Sequence, residues 1–323
     1  MTNPDLPGVH GIDIGGSKIE LVAFDGAMRE VFRERVATPG HDFQRFIDAV
    51  AGLVRRGDAA LGAALGTAAP VGVGLPGVID AASGRQLSSN VPALNGRLVV
   101  PALEQALGRP VAIGNDCQCF ALSEAQGGAA DGLPTMFGAI LGTGAGGGYC
   151  AGGRLQRGFN GVAGEWGHWT APAHLLSHYG LPVVACPCGR AGCMERYVSG
   201  PGMSMLHRHF GGEGAEPMII AARANAGDAV AAKTLAAHLD LLAHAFSSLV
   251  LALDPHAIVL GGGLSQLPHL YHQLPGAIQR HLFAGAQVPP ILPPRFGDAG
   301  GARGAALLAY QLLVLQQSSA SAP

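Results

Sequence analysis

Three times along this 323-residue chain a short apolar run ends in a cluster of glycines, at residues 12–16, 140–148 and 258–263. That recurrence limits the fold more than any other feature. Without a Cβ the backbone can turn tightly, approach an anion and aim several N–H groups at it. One such turn is explained equally well by an ordinary hairpin. Three in one chain point to the phosphates of a nucleotide. The run Gly142-Thr143-Gly144-Ala145-Gly146-Gly147 matches GxGxxG. A dinucleotide fingerprint, however, needs a helix straight after its glycines. Residues 148–153 read instead as strand and turn, which disfavours a dehydrogenase. A GxxxxGK[ST] phosphate loop is absent from the sequence.

The elements around these turns alternate between strand and helix, so the class is α/β. VHGIDI and IELVAF form a hairpin around GGSK. Residues 41–65 carry Phe43, Phe46, Ile47, Val50, Leu53 and Val54 at helical spacing. A strand is expected over 71–79, a helix over 97–107, a strand over 111–116 and a helix from Asp116. Strand, turn and strand follow over 136–153. Residues 160–200 look irregular, 228–253 form a long apolar helix, and 256–264 are a strand with its glycine turn. A last helix covers GARGAALLAYQLLVL, and QQSSASAP reads as a frayed tail.

Lys+Arg is 20 and Asp+Glu is 22, for a net charge of -2. With no basic run, the chain is not expected to bind nucleic acid or an anionic membrane. No stretch of ~18 apolar residues is found, so a membrane span is not expected. The first ten residues show no signal-peptide pattern, so a cytoplasmic location is expected. In a reducing compartment, clustered cysteines more often bind metal than pair as disulfides.

Five sets of residues are candidates for chemistry. Asp13 precedes the first glycine turn, where a carboxylate beside phosphate-cradling amides suits Mg2+. Lys18, just past it, either pairs with phosphate or is a solvated hairpin residue. Asn115-Asp116 sits where a strand gives way to a helix; it either caps that helix or supplies a general base. His168 with Cys186, Cys188 and Cys193 offers three thiolates and an imidazole, a closed tetrahedral set for structural zinc. Glu165 and Glu195 flank that set. They would either hold the hydroxyls of a polyol or be ordinary surface glutamates.

The strings IDIGGSK, GLPG, SNVPALNG, GNDCQCFALSEA, ILGTGAGGG, GEWGH, CPCGRAGCMERYVSG, IVLGGGLS and GDAGGARGAA resemble the ROK sugar kinases. They occur in family order from about residue 10 to about residue 310. The resemblance implies an actin-like ATPase (ribonuclease H-like) fold with two domains around a central cleft. Residues 1–116, completed by a C-terminal helix 301–317, would be the small domain. Residues 117–300 would be the large one, with its zinc loop at 164–198. The resemblance further implies an ATP-dependent kinase for an amino sugar, N-acetyl-D-glucosamine, acting on the 6-hydroxyl and working as a homodimer. Asp13, Gly15, Gly16, Ser17 and Lys18 would meet the ATP phosphates and Mg2+. Gly142, Thr143 and Gly144 would form a second phosphate loop, and Gly261, Gly262 and Gly263 would border the adenosine. Asn90, Asn115, Asp116, Glu165, His168 and Glu195 would hold the sugar, with Asp116 the catalytic base. Ser17 replaces the usual Thr, and Cys117-Gln118 the more frequent Ala-Asn.

Other activities fit the same resemblance. NVPALNG favours the amino-sugar group, whereas GEWGH with LYHQLPGAIQRHLFAG leans toward a fructokinase or a broad hexokinase. A family repressor would need a helix-turn-helix ahead of the first phosphate strand, which already starts by residue 9. A non-catalytic sugar sensor is disfavoured by Asp116 beside intact glycine turns.

Overall fold

The computed structural model describes residues 8–62, 69–87, 90–297 and 300–320, without the side chains of 314–320. The chain divides into two compact units. Unit 1 is Met1–Gln126, Arg157–Ala163 and Asp298–Pro323; unit 2 is Gly127–Gln156 and Gly164–Gly297. Unit 1 therefore runs past Asp116 through the whole of the following helix, and it takes in the strap 157–163, which sequence pattern had grouped with the large domain.

In unit 1, Val9–Ile14 (β1) and Lys18–Phe24 (β2) form the expected hairpin, with Ile12 opposite Leu21 and Asp13 opposite Glu20. Glu30–Ala37 (β3) extends it antiparallel, an edge strand the sequence pattern had not indicated. Its charges hide its strand character but have work to do. Glu20 is 1% exposed, and Arg33 donates to its Oε1 at 2.8 Å. Phe43–Leu61 (α1) starts at Asp42, whose Oδ1 accepts from the Arg45 N–H at 3.0 Å. It buries Phe46, Ile47, Val50, Leu53 and Val54, the stripe its spacing foretold; residues 63–65 of the expected helix lie outside the described residues.

Val71–Leu75 (β4) follows, then the short pair Val78–Ile79 (β5) and Gln86–Leu87 (β6), the helix Val99–Leu107 (α2), Val111–Asn115 (β7) and the helix Asp116–Ala125 (α3). The sheet order is β3-β2-β1-β4-β7, with β1, β4 and β7 parallel. The C-terminal helix Gly300–Ala320 lies directly on this sheet; residues 316–320, read as tail, continue it. Glycines permit so close an approach: a methyl on Gly11 would meet the Ala302 carbonyl oxygen at 1.8 Å, and one on Gly72 the Ala305 oxygen at 1.8 Å.

Unit 1 also holds a buried polar triad. His10, 0% exposed, lies with Nε2 2.8 Å from Asp58 Oδ1, and Arg109 pairs with the other Asp58 oxygen. Burial holds the His10 imidazole below its ordinary pKa. Burial opposes the charge on Asp58 too, but hydrogen bonds from Arg109 and His10 outweigh it and hold that carboxyl low. Both folded-state pKa values are depressed, so their stabilisation is complete above ~pH 6.5 and is lost as pH falls through the ordinary His and then Asp ranges. Asp58→Ala is expected to cost about 2 kcal/mol at pH 7.5. Urea unfolding should show that difference shrinking toward pH 3.

Unit 2 repeats the sheet plan. Thr135–Leu141 (β8) and Ala145–Ala151 (β9) form a hairpin, and Arg154–Gln156 (β10) extends it. The helices Ala173–Tyr179 (α4), Glu195–Val198 (α5), Gly200–His209 (α6), Pro217–Asn225 (α7) and Ala229–Leu253 (α8) precede Ile258–Gly261 (β11). Pro268–His281 (α9) and Ile291–Leu292 (β12) complete the unit. The order β10-β9-β8-β11-β12 has the same antiparallel and parallel steps as the sheet of unit 1. The first two glycine turns thus occupy equivalent hairpins, and the GxGxxG match is followed by strand, as its sequence context required.

Segment 160–200 is less irregular than expected, since it contains α4, α5 and a 3₁₀ turn at Trp166–His168. Helix α8 is long and apolar enough to cross a membrane by length and composition. Of its most apolar window, 61% is buried inside the protein. Phe246 on that helix packs edge-on to Trp166 at 5.2 Å between ring centres, both fully buried. Its hydropathy is that of a core helix.

Candidate active site and metal centre

In unit 1 the first glycine turn is closed by the Gly15 N–H donating to the Lys18 carbonyl at 2.9 Å. The Thr38 hydroxyl donates to the Gly15 carbonyl at 2.8 Å, and the Thr38 N–H to Ser17 O at 3.0 Å. Lys18 is exposed at the start of β2. The backbone of Asn90 lies against the turn, since a methyl on Gly16 would sit 3.1 Å from its carbonyl oxygen. The Asp13 carboxylate meets the N-terminus of the C-terminal helix: a methyl on Gly301 would be 2.8 Å from each of its oxygens. The positive end of a helix favours a charged carboxylate there.

Asp116 opens α3 at the carboxyl end of β7. Asn115 is the N-cap: its Oδ1 accepts from the N–H of Cys117 at 2.9 Å and of Gln118 at 3.3 Å, and its Nδ2 donates to Gly77 O at 3.0 Å. One amide N–H of Asn115 is left over for a ligand. The cap leaves Asp116 itself free of that task, so the capping and general-base readings fall on different residues. Asp116 Oδ1 accepts a local bond from the Cys117 N–H at 2.9 Å, and loss of water around the carboxyl outweighs such local hydrogen bonds and raises its pKa. Asp13 and Asp116 flank Gly74, where a methyl would lie 3.7 Å from Asp13 Oδ1 and 3.7 Å from Asp116 Cα.

In unit 2 the second glycine turn, Gly142, Thr143 and Gly144, is closed by the Gly142 N–H on Gly144 O at 2.9 Å. The Gly200 N–H at the start of α6 donates to Gly142 O at 2.8 Å, which brings a helix N-terminus to the turn. Such an end suits an anion. The third turn touches the second: Gly262 has φ of 76°, and a methyl there would be 2.5 Å from Leu141 O. Only glycine fits that conformation and that contact. Gly261 and Gly263 flank it.

Glu165, His168 and Glu195 also belong to unit 2. Glu165 Oε2 is 3.9 Å from His168 Nε2. Glu195 Oε2 is 3.4 Å from the Ala145 N–H, so it sits beside the second glycine turn. His168 Nδ1 and the sulfurs of Cys186, Cys188 and Cys193 converge, and the four ligand atoms lie within 4.8 Å of one another. Cys188 and Cys193 sulfurs are 3.5 Å apart, too far for a disulfide at ~2.05 Å. Cys186 Sγ is 3.9 Å from His168 Nδ1. Tetrahedral zinc with Zn–S of about 2.3 Å and Zn–N of about 2.0 Å spaces its ligands about 3.5–3.8 Å apart. Donor set and spacing therefore fit a tetrahedral metal ion. A knuckle closed by the Cys186 N–H on Arg190 O (2.8 Å) and a bridge between Thr170 and Cys193 bring the ligands together.

Two features escaped the sequence pattern. The start of α6 meets the second turn, and Gln118 ties the strap 157–163 to α3. Its Nε2 donates to Gly161 O at 3.0 Å and Ala163 O at 3.1 Å. The Cys117-Gln118 departure leaves the first turn of α3 regular.

The ROK family model matches residues 9–312. The chain belongs to the ROK family. It is 45% identical to the N-acetylgalactosamine kinase AgaK of Shewanella sp. over 94% of this chain and 97% of that one. It is 42% identical to the N-acetyl-D-glucosamine kinase of Photobacterium profundum over 93% and 98%. Among solved structures it is similar to a ROK hexokinase from Thermus thermophilus, with a TM-score of 0.83, 34% identity and coverage of 95% and 99%. A ROK glucokinase from Streptomyces griseus in complex with glucose and AMPPNP gives a TM-score of 0.74, 28% identity and coverage of 94% and 99%. The two-unit α/β architecture with matched mixed sheets is that of these ROK-family structures.

Proposed function

We propose that this ROK-family chain is an ATP-dependent sugar kinase that converts N-acetyl-D-glucosamine to its 6-phosphate. The observation that carries the reading is Asp116: a desolvated carboxylate in no ion pair among the described residues, at the end of a strand, across Gly74 from the Asp13 turn. Phosphoryl transfer asks little covalent chemistry of a protein; positioning and charge stabilisation dominate. The sugar's 6-oxygen attacks the γ-phosphorus, the new O–P bond forms, and the bond to the ADP oxygen breaks. The hydroxyl proton passes to Asp116, whose raised pKa makes it a better acceptor than an exposed aspartate. The turns Gly15, Gly16 and Ser17 and Gly142, Thr143 and Gly144 would cradle the phosphates, the Gly15 and Gly142 N–H groups closing the turns themselves, with Lys18 near the first turn and Gly261, Gly262 and Gly263 beside the adenosine. Asp13 would hold Mg2+, which when bound neutralises phosphate charge.

Asn90, Asn115, Glu165, His168 and Glu195 would hold the sugar. His168, Cys186, Cys188 and Cys193 would bind a structural zinc, whose closed coordination braces the loop that carries Glu165 and Glu195. His168 Nδ1 faces the sulfurs while Nε2 faces Glu165, so one ring can serve metal and sugar at once. The resemblance to the family also supports a homodimer.

The test is an ADP-release assay against N-acetylglucosamine, N-acetylgalactosamine, N-acetylmannosamine, glucose, mannose and fructose. The highest kcat/KM is expected for N-acetylglucosamine, and preference for a sugar lacking the 2-acetamido group would overturn the reading. The Shewanella relative favours a second reading, the 4-epimer N-acetylgalactosamine, which the same panel separates.

A further inference from the structure

Unit 1 contains a small hollow that the phosphoryl-transfer chemistry does not use. Its volume is about 40 Å³, and its wall includes Val78, Ile79, Gln86, Asn115, Gln118, Asn160 and one charged residue, Arg157. Asn115 puts it one residue from Asp116. Two features set its chemistry. Val78 and Ile79 give it an apolar side. Gln86 and Gln118, 1% and 2% exposed, both donate through Nε2 to backbone carbonyls, Gln86 to Pro76 O at 2.9 Å and Gln118 to the strap. The carboxamide oxygens of both are buried without a hydrogen-bond partner. A buried acceptor left bare is costly, and an arriving N–H relieves the cost.

We infer that this hollow receives the N-acyl group on C2 of the amino sugar, with Gln118 supplying the acceptor for its amide N–H. The inference rests on the kinase reading and deepens it. On a pyranose ring C2 lies across from C5, the carbon that bears C6. A sugar with its 6-hydroxyl at Asp116 therefore directs its C2 substituent away from the carboxylate. The volume is also selective. At about 10–15 Å³ per water molecule it takes roughly three heavy atoms. An acetyl group has three, a formyl two and a butanoyl five. The methyl meets Val78 and Ile79, the N–H meets Gln118, and Asn160 offers donors for the carbonyl oxygen. Gln118 thereby has two tasks: it fixes the strap that forms one side of the hollow, and it reads the amide.

The experiment compares kcat/KM of the whole enzyme on N-formyl-, N-acetyl- and N-butanoyl-hexosamines of its preferred epimer. The acetyl compound is expected to be best, with butanoyl at least tenfold poorer. Val78→Ala enlarges the hollow and should raise the butanoyl-to-acetyl ratio at least fivefold. Gln118→Met keeps the side chain's length but loses its oxygen, and should raise KM for the acetyl sugar about tenfold while changing kcat less than threefold. Equal rates for acetyl and butanoyl in the wild type would overturn the inference, as would an unmoved ratio in Val78→Ala. If the wild type prefers a sugar with no acyl group, the acceptor reading itself has failed. If it prefers the acetyl sugar but ignores acyl length, only the hollow has.

Discussion

Asp116→Asn is expected to lower kcat by about 10³-fold or more while leaving the sugar dissociation constant within about threefold. Asparagine keeps the size of the side chain and can still accept the Cys117 N–H at the start of α3, but it cannot take the hydroxyl proton. The same substitution should raise the thermal midpoint. Loss of water raises the Asp116 pKa in the folded state. The native state then binds its proton more tightly than the unfolded chain, so stability falls as pH rises from the ordinary aspartate value through the raised one. Above the raised value that penalty is fully present, and a neutral side chain removes it. For the same reason the acid limb of kcat/KM in the wild type should fall at a pH above that of an ordinary aspartate. Near-normal turnover in Asp116→Asn would remove Asp116 as the base; an unchanged or lower midpoint would remove the desolvation argument.

Cys188→Ser is expected to release the metal and weaken the sugar by about 10–100-fold in KM. Cys188 is exposed, so the substitution disturbs no core packing. It leaves three donors of the set that converges within 4.8 Å. The effect reaches the sugar through two short tethers. His168 is itself a ligand, and Glu195 begins α5 two residues after Cys193. Buried Tyr197 and Val198 anchor the far end of α5, so the metal-facing end should loosen first. Zinc by elemental analysis should be close to one per chain in the wild type and well below that in the variant. Fluorescence titration with sugar, without nucleotide, reads the affinity directly. A fully folded, active wild type without zinc would refute the metal assignment. Full sugar affinity in the variant would refute the coupling.

Much of this was legible in order along the chain. Hairpins around Gly15–Ser17 and Gly142–Gly144 follow from alternating apolar residues broken by glycine. The α1 stripe Phe46, Ile47, Val50, Leu53 and Val54 follows from helical spacing, and the candidate metal set His168, Cys186, Cys188 and Cys193 from residue type and separation. Each is a local signal. What escaped has a common cause. The edge strand β3 is spelled Glu-Val-Phe-Arg-Glu-Arg-Val-Ala, and its charges mask its alternation. They are explained only by Glu20, buried on the next strand. Gln118 ties a strap more than 40 residues away, and no pattern within one segment reveals such a pair. The domain boundary expected at Asp116 cuts a strand–helix junction whose helix packs with unit 1, because the C-terminal helix that covers α3 returns from the far end of the sequence.

By itself the sequence determined the class of the fold, the glycine turns and the set of four side chains, His168, Cys186, Cys188 and Cys193, that come together, since backbone freedom, side-chain chemistry and spacing act over a few residues. Tertiary structure alone decided that Asn115 is the helix cap, that Gly262 closes onto Leu141, and that two buried glutamines line one small hollow. Those outcomes depend on which atoms distant segments bring within hydrogen-bond reach and which they cut off from water, and folding fixes both at once.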